Sequence, residues 1–229
     1  MGAEVAVYQP PTPAQIDHYR AHGWLAVEDT LAPDDLARLQ KLVVAFTQDP
    51  VAARAASPYG EPILQGMLEL VWLDWRSAAW HRWTHEFAQA LHGAALDFWY
   101  NQLLLKPPRG GLAATWHQDE AFFAGAGPDL LVSAWLTLDD VDADGGCMHF
   151  EDAGHREGIR RVFGVDGSPA EAEAAVDPRR IVAVPMRAGG MTFHSGKTPH
   201  MTLTNRTDRW RNVVIQRFTV HGVPLPTGH

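Results

Sequence analysis

The chain has 229 residues, 46% of them hydrophobic, enough to bury one substantial core as a single all-β or α+β domain or as two small domains. Its net charge of −8 and its dispersed basic residues give nucleic-acid binding little electrostatic support. The single cysteine, Cys147, excludes an intramolecular disulfide, and the sequence contains neither a signal peptide nor an apolar run of membrane-spanning length, so we expect a cytoplasmic protein without membrane contact.

The first part of the chain is predicted to be largely helical. Residues 12–15 read Thr-Pro-Ala-Gln, which is typical of a capping box with proline at the first helical position, and Gly23 is expected to end that helix. A short apolar strand is predicted at 24–27, followed by a helix over 33–46. Aromatic and apolar residues at three- and four-residue steps predict a further helix over 77–98.

From Asn101 onward the pattern changes to short apolar strands separated by turn signals such as Asp144-Gly145-Gly146. The predicted strands cover residues 102–106, 130–141, 147–151, 180–186, 191–195, 200–204 and 210–220. Many short strands with such punctuation favour a double-sheet jelly roll, or double-stranded β-helix. We therefore expect a mainly β fold with flanking helices. A single domain over 1–229 would comprise a largely helical part, 1–100, and a jelly-roll core, 101–229.

The segment His117-Gln118-Asp119 and the distant His200 are candidate metal ligands. In a strand, alternate side chains point to the same face, so His117 and Asp119 would approach one metal together. Two histidines and one carboxylate are the ligand set of mononuclear non-haem Fe(II) oxygenases. His200, in a predicted strand, is the expected third ligand.

A second feature follows His200 along the chain. The polar run 205–208 is predicted to be a hairpin turn, which would place His200 directly opposite Arg211 on one face. The Arg211 guanidinium could then hold a carboxylate through a bidentate fork. A ligand that binds the metal at one end and Arg211 at the other is a short dicarboxylate, and 2-oxoglutarate fits that description.

These segments resemble the phytanoyl-CoA dioxygenase family of Fe(II)/2-oxoglutarate oxygenases over nearly the whole chain. The motifs that carry the resemblance are Ile16-x-x-Tyr19-x-x-x-Gly23-Trp24-Leu25-x-Val27-x-Asp29, Lys106-Pro107-Pro108, His117-Gln118-Asp119-Glu120, Trp135-Leu136-x-Leu138-Asp139-Asp140, Gly154-His155-Arg156 and His200-Met201-Thr202-x-x-Asn205-x-Thr207-x-x-x-Arg211. The departures are Gly145-Gly146, where Asn-Gly is usual, and Ala153 in place of a serine. They affect turns and leave the metal motif intact.

The resemblance implies a role for each motif residue. Iron would be held by His117, Asp119 and His200, and the far carboxylate of 2-oxoglutarate by Arg211 and Thr202. Trp135 and Gln102 are implied as further contacts to 2-oxoglutarate. Halogenases of this superfamily have glycine or alanine at the position of Asp119, so the resemblance implies hydroxylation as the default, with desaturation, epimerisation and cyclisation open to the same oxidant.

Several residues compete for these assignments. His194 lies in the predicted strand before His200 and is the main rival as third ligand, although a packed core histidine is the simpler interpretation. His155-Arg156-Glu157 repeats the His-x-acid pattern in an apparent turn, and we interpret it as solvated surface. Arg209 and Arg217 are alternatives to Arg211.

The predicted function is an oxygenase that acts with O₂ on a small, largely apolar metabolite such as a natural-product intermediate. Substrate contacts are expected from segments 50–76 and 120–130, where the candidates are Trp72, Trp75, Phe122 and Phe123. A CoA thioester stays open as substrate, although no clear basic cluster awaits its phosphates. The alternative is a non-catalytic jelly-roll protein that binds a metal or a carboxylate.

Overall fold

The computed structural model of the protein describes residues 8–47, 78–122, 129–160 and 176–223. Its helices are α1 (Pro13–His22), α2 (Pro33–Thr47) and α3 (Ala79–His92). The capping box is confirmed, because the Thr12 hydroxyl accepts from the Gln15 amide and the Gln15 side chain accepts from the Thr12 amide. No helix in these ranges combines the length and apolarity that crossing a bilayer requires.

The strands, in chain order, are β1 (Trp24–Val27), β2 (Leu96–Lys106), β3 (Ala114–His117), β4 (Leu131–Thr137), β5 (Met148–Glu151), β6 (Ile181–Val184), β7 (Met191–Ser195), β8 (His200–Thr202) and β9 (Arg211–Val220). One sheet has the order β1-β7-β4-β9-β2 and the other has the order β3-β8-β5-β6. Neighbouring strands run antiparallel in both sheets. Short 3₁₀ helices cover Asp119–Phe122, Gly154–Glu157 and Pro178–Arg180.

Each face of the five-stranded sheet packs in a different core. On one face Phe193 and Phe218 pack with the aromatic residues of α3, and the rings of Phe87 and Phe193 stack with their centroids 4.8 Å apart. On the other face Val213 and Ile215 join a second cluster that includes residues of the four-stranded sheet. Because side chains alternate along β9, its odd-numbered residues point between the two sheets.

The predicted hairpin between residues 200 and 211 is wrong. Strand β8 pairs with β3 and β5 in one sheet, whereas β9 pairs with β4 and β2 in the other, where Arg211 lies opposite Lys106. The physical reason is Asn205, whose side-chain amide donates to the carbonyls of Pro107 and Arg209 and whose Oδ1 accepts from the Thr207 amide. These bonds fix an irregular crossing from one sheet to the other.

Two boundaries also differ from the prediction. The helix predicted over 77–98 ends at Gly93, which has a left-handed conformation (φ 83°), and residues from Leu96 onward form β2. Strand β2 therefore begins inside the part predicted as largely helical, 1–100, where β1 is also predicted, and both strands belong to the five-stranded sheet. The strands predicted at 24–27 and 191–195 have the predicted bounds, and the remaining predicted strands, apart from β2, are present with ends trimmed by a few residues.

Candidate metal centre

His117 and His200 face each other across neighbouring strands. The register of β3 and β8 pairs them directly, and their ring centroids are 4.1 Å apart. The Nδ1 atom of His117 lies 2.7 Å from the Thr115 carbonyl, and that of His200 lies 2.9 Å from the Thr198 carbonyl. A carbonyl can only accept, so each Nδ1 carries the proton and each Nε2 is available as a metal ligand.

Asp119 completes the group from just beyond β3. Its Oδ1 lies 3.7 Å from His117 Nε2 and 3.8 Å from His200 Nε2, and the ligand atoms of the three residues lie within 4.8 Å of one another. The expectation that His117 and Asp119 share a strand face is wrong, because Asp119 begins a 3₁₀ helix. The turn is stabilised by the Glu120 amide, which donates to the Gly196 carbonyl.

The charges around the group suit a metal cation. Burial alone would raise the pKa of Asp119, but the Arg217 guanidinium, helped by His200 and His194, holds that pKa well below its usual value. Burial, together with the neighbouring His117 and His194, holds the pKa of His200 well below its usual value. A carboxylate and a neutral imidazole at neutral pH are the protonation states that metal binding requires.

The three side chains line a cavity of about 70 Å³ between the two sheets, which is room for an ion and several waters. Its other lining residues are Leu104, Ala114, Trp135, Met148, His194, Met201, Thr202, Ile215 and Arg217. Two imidazole nitrogens and one carboxylate oxygen at this spacing fit Fe(II), which such a triad binds with coordination positions left open.

The model of the family described as phytanoyl-CoA dioxygenase matches residues 19–213. The chain belongs to this family. As a member it is 27% identical over 125 residues to the mouse phytanoyl-CoA dioxygenase domain-containing protein 1, a stretch that is 52% of this chain and 42% of the mouse protein. The chain thus spans less than half the length of that curated relative.

Solved structures confirm the jelly-roll fold predicted for this family member. EvdO2 from Micromonospora carbonacea superposes with a TM-score of 0.78 at 24% identity, covering 95% of this chain and 96% of EvdO2, and a second EvdO2 structure is a complex with 2-oxoglutarate. The epimerase SnoN, in complex with Fe³⁺, α-ketoglutarate and nogalamycin RO, superposes with a TM-score of 0.74 at 24% identity, covering 94% of this chain and 91% of SnoN.

The residues predicted to contact 2-oxoglutarate differ in whether they line the cavity. Thr202 and Trp135 line the cavity. Arg211 is almost fully buried behind them, with its guanidinium carbon 5.8 Å from the Trp135 ring centroid and its Nη1 donating to the Leu104 carbonyl. Gln102 is not among the cavity-lining residues, and its Oε1 accepts from Nη1 of Arg217 at 2.7 Å.

The residues that compete with His200 and Arg211 for these assignments lie at different places in the fold. His194 is buried beside Asp119, with Nε2 3.5 Å from Oδ2, but it is not part of the three-residue ligand group. His155 lies in a 3₁₀ turn, where its Nε2 bonds to the Arg20 carbonyl, and Arg209 lies on the surface, 3.6 Å from Asp142. Arg217, in contrast, lines the cavity and contacts Asp119, so it is the rival arginine that lies at the metal end.

Sequence reasoning missed two residues near the site. Lys106 is buried, and its Nζ donates to Thr202 Oγ1 at 3.0 Å and to the Leu203 carbonyl at 2.7 Å. Ser133 is fully buried in β4 and donates to Asp119 Oδ2 at 2.6 Å. The alternation along β9 could have placed Arg217 in the pocket, since it shares a strand face with Arg211, but no local pattern distinguishes Ser133.

The predicted substrate-binding aromatics lie largely outside the described residues. Trp72, Trp75 and Phe123 are among the residues not described, as is the whole segment 50–76. Phe122 ends a described 3₁₀ helix, but its side chain lies outside the description.

Proposed function

We propose that this protein is an Fe(II)/2-oxoglutarate-dependent oxygenase that hydroxylates, desaturates, epimerises or cyclises a small, largely apolar metabolite. The observation that carries the proposal is the convergence of His117, Asp119 and His200 on one point between the sheets, in a chain of the phytanoyl-CoA dioxygenase family. These three side chains would hold the iron. When bound, iron and 2-oxoglutarate would supply, together with O₂, the oxidant that attacks a substrate C–H bond.

The protein's own residues would prepare the site in three ways. Carbonyls of Thr115 and Thr198 orient the two imidazoles, so that neither ring has to turn when the ion arrives. The Arg217 guanidinium keeps Asp119 ionised in a buried place. The paired strands β3 and β8 fix the two histidines in advance, and the turn after β3 fixes Asp119, which lowers the reorganisation that binding requires.

The co-substrate's far carboxylate would bind where Arg211, Lys106 and Thr202 lie together. Arg211 and Lys106 are directly opposite each other on β9 and β2, and Lys106 donates to the Thr202 hydroxyl. Two buried cations and a hydroxyl form an environment that favours a carboxylate. Trp135 would pack between this end and the metal, because it lines the cavity and contacts Arg211.

The apolar lining supports an apolar substrate. Leu104, Met148, Met201 and Ile215 line the cavity beside the metal-binding group. They offer few hydrogen bonds, so shape and hydrophobic contact would select the substrate. Two structural neighbours, the epimerase SnoN and the carbocyclase SnoK, come from nogalamycin biosynthesis, which supports a natural-product intermediate as the substrate class.

The remaining parts of the proposal concern partners and location. We propose O₂ and a small molecule as partners, without nucleic acid or membrane, because the net charge is −8 and the basic residues are dispersed. A cytoplasmic location is proposed because the sequence has a single cysteine, Cys147, and therefore no intramolecular disulfide, which fits a reducing compartment.

The test is a screen for substrate-stimulated succinate formation with Fe(II), 2-oxoglutarate and a library of apolar natural-product intermediates. The proposal predicts iron-dependent succinate formation that at least one compound class stimulates, and its loss in His200→Ala. Tight binding of Fe(II) and 2-oxoglutarate with no succinate from any compound would instead favour the non-catalytic binding protein.

A further inference from the structure

A row of polar residues crosses the five-stranded sheet beneath the metal-binding group. Ser133 on β4 lies directly opposite His194 on β7 and directly opposite Arg217 on β9. Residues paired in this way point to the same face of a sheet, and this face looks across the cavity toward His117 and His200. His117 and His200 thus lie on the four-stranded sheet and Asp119 lies in the turn after β3, whereas the row of Ser133, His194 and Arg217 lies on the five-stranded sheet.

All three members of the row contact Asp119. The Ser133 hydroxyl donates to Oδ2 at 2.6 Å, and His194 Nε2 lies 3.5 Å from the same oxygen. Arg217 reaches both oxygens, with Nε 3.4 Å from Oδ2 and Nη2 3.3 Å from Oδ1. The shortest contact, from Ser133, is a hydrogen bond to an ionised acceptor, which is among the stronger kinds.

The two oxygens of Asp119 therefore have different surroundings. Oδ1 is the atom that lies nearest the Nε2 atoms of His117 and His200, at 3.7 and 3.8 Å. Oδ2 points toward the five-stranded sheet, where Ser133 and His194 contact it. Arg217 contacts both oxygens, so the difference between them comes from Ser133 and His194, which engage Oδ2 alone. This arrangement favours metal binding through Oδ1.

We propose that Ser133 and His194 are positioning residues that hold Asp119 as a one-oxygen metal ligand, with Oδ1 toward the metal, while Arg217, which contacts both oxygens, supplies the balancing positive charge. The inference rests on the proposed function, because it takes Asp119 to be a ligand. Three single donor atoms leave three positions of an octahedral ion open, whereas a two-oxygen carboxylate would take a fourth. Holding Oδ2 in the sheet thus preserves room for a chelating co-substrate and O₂.

Arg217 is itself held in place. Its Nη1 donates to Gln102 Oε1 at 2.7 Å, and its guanidinium carbon lies 5.0 Å from the centroid of the Tyr100 ring, which is opposite Arg217 on β2. This gives Gln102 a role different from the direct co-substrate contact that the family resemblance implied: it orients the arginine that accompanies the carboxylate.

The test measures Co(II) binding to the metal-free full-length protein, without co-substrate or turnover. Ser133→Ala should weaken Co(II) binding about 10-fold or more, the range for residues that orient a ligand, and should change the Co(II) d–d absorption, which reports coordination number. Ser133→Thr keeps the hydroxyl and should restore both. Thr192→Val is the matched control, because Thr192 is equally buried on β7 and its hydroxyl has no hydrogen-bond partner within the described ranges.

A double mutant separates positioning from general packing. If Ser133 acts through the carboxylate, Ser133→Ala should have no further effect on Co(II) affinity in an Asp119→Ala background. Equal losses in both backgrounds, or an unchanged affinity and spectrum in Ser133→Ala, would overturn the inference while leaving the proposed function intact. A native protein that binds no Co(II) or Fe(II) at all would overturn both.

Discussion

Two arginines on the same face of β9 lie in contrasting environments. Arg217, at the metal end, contacts the Asp119 carboxylate, and Arg211, at the other end, lies opposite Lys106 and donates to the Leu104 carbonyl. At the metal end, positive charge is matched by a carboxylate of the protein itself. At the other end Arg211 and Lys106 are both buried, and the Asp139 carboxylate interacts electrostatically with Arg211. The proposed function assigns the two arginines to different anions, Arg217 to the ligand Asp119 and Arg211 to the far carboxylate of 2-oxoglutarate.

The largest expected effect comes from removing the carboxylate at the metal end. Asp119→Ala should bind the metal much more weakly, through the two histidines alone, and should also destabilise the metal-free protein by about 3–5 kcal/mol, because it leaves the buried Arg217 guanidinium without its carboxylate. Urea unfolding in the presence of a chelator measures the free energy of unfolding. His117→Ala is the control, since it also removes a ligand but leaves the Arg217–Asp119 pair intact. Equal losses of unfolding free energy in the two variants would show that the Arg217–Asp119 pair does not stabilise the metal-free protein.

At the opposite end, Arg211→Lys should weaken 2-oxoglutarate binding by about 1.5–3 kcal/mol, because lysine keeps the charge but loses the two-pronged guanidinium. Titration of the metal-loaded protein with 2-oxoglutarate gives the dissociation constant. The matched control is Arg209→Lys, a change of the same kind at an exposed residue of the preceding segment. If the constant changes in the control and not in Arg211→Lys, the carboxylate site has been assigned to the wrong residue.

A substitution of Lys106 is expected to have a smaller effect on 2-oxoglutarate binding. Lys106→Met keeps most of the side-chain volume but removes the cation that donates to Thr202 and to the Leu203 carbonyl. We expect the dissociation constant for 2-oxoglutarate to rise about tenfold, because the change removes about one charge-assisted hydrogen bond. The affinity for Co(II) should stay unchanged. A loss of Co(II) affinity without a change for 2-oxoglutarate would mean that Lys106 serves the metal end.

No effect at all is expected from halide. The family resemblance implies that Asp119 stands where halogenases of the superfamily have glycine or alanine, so we expect the native protein to give no halogenated product in chloride or bromide buffer. Mass spectrometry of the products, with one succinate formed per substrate oxidised, would check this. A chlorinated product from the native protein would remove Asp119 from the ligand set.

The sequence predicted what local patterns and motifs determine. The capping box at Thr12, most of the strands and the family followed from short-range signals, and the three residues expected as ligands do converge. What failed depends on distant partners. The Asn205 side chain directs β8 and β9 into different sheets, and the turn at Asp119 is stabilised by the Gly196 carbonyl. The role of Ser133 arises only once three strands are in register.

We propose that His117, Asp119 and His200 form an Fe(II) site that also accepts 2-oxoglutarate. The decisive measurement is the charge-transfer absorption band of the Fe(II)–2-oxoglutarate complex, recorded under anaerobic conditions. We expect a band that saturates at one iron per chain in the native protein, is unchanged in His155→Ala, persists in His194→Ala with weaker iron binding, and is absent in His200→Ala. A band that persists in His200→Ala but is lost in His194→Ala would contradict the ligand assignment, and no band in the native protein would contradict the function.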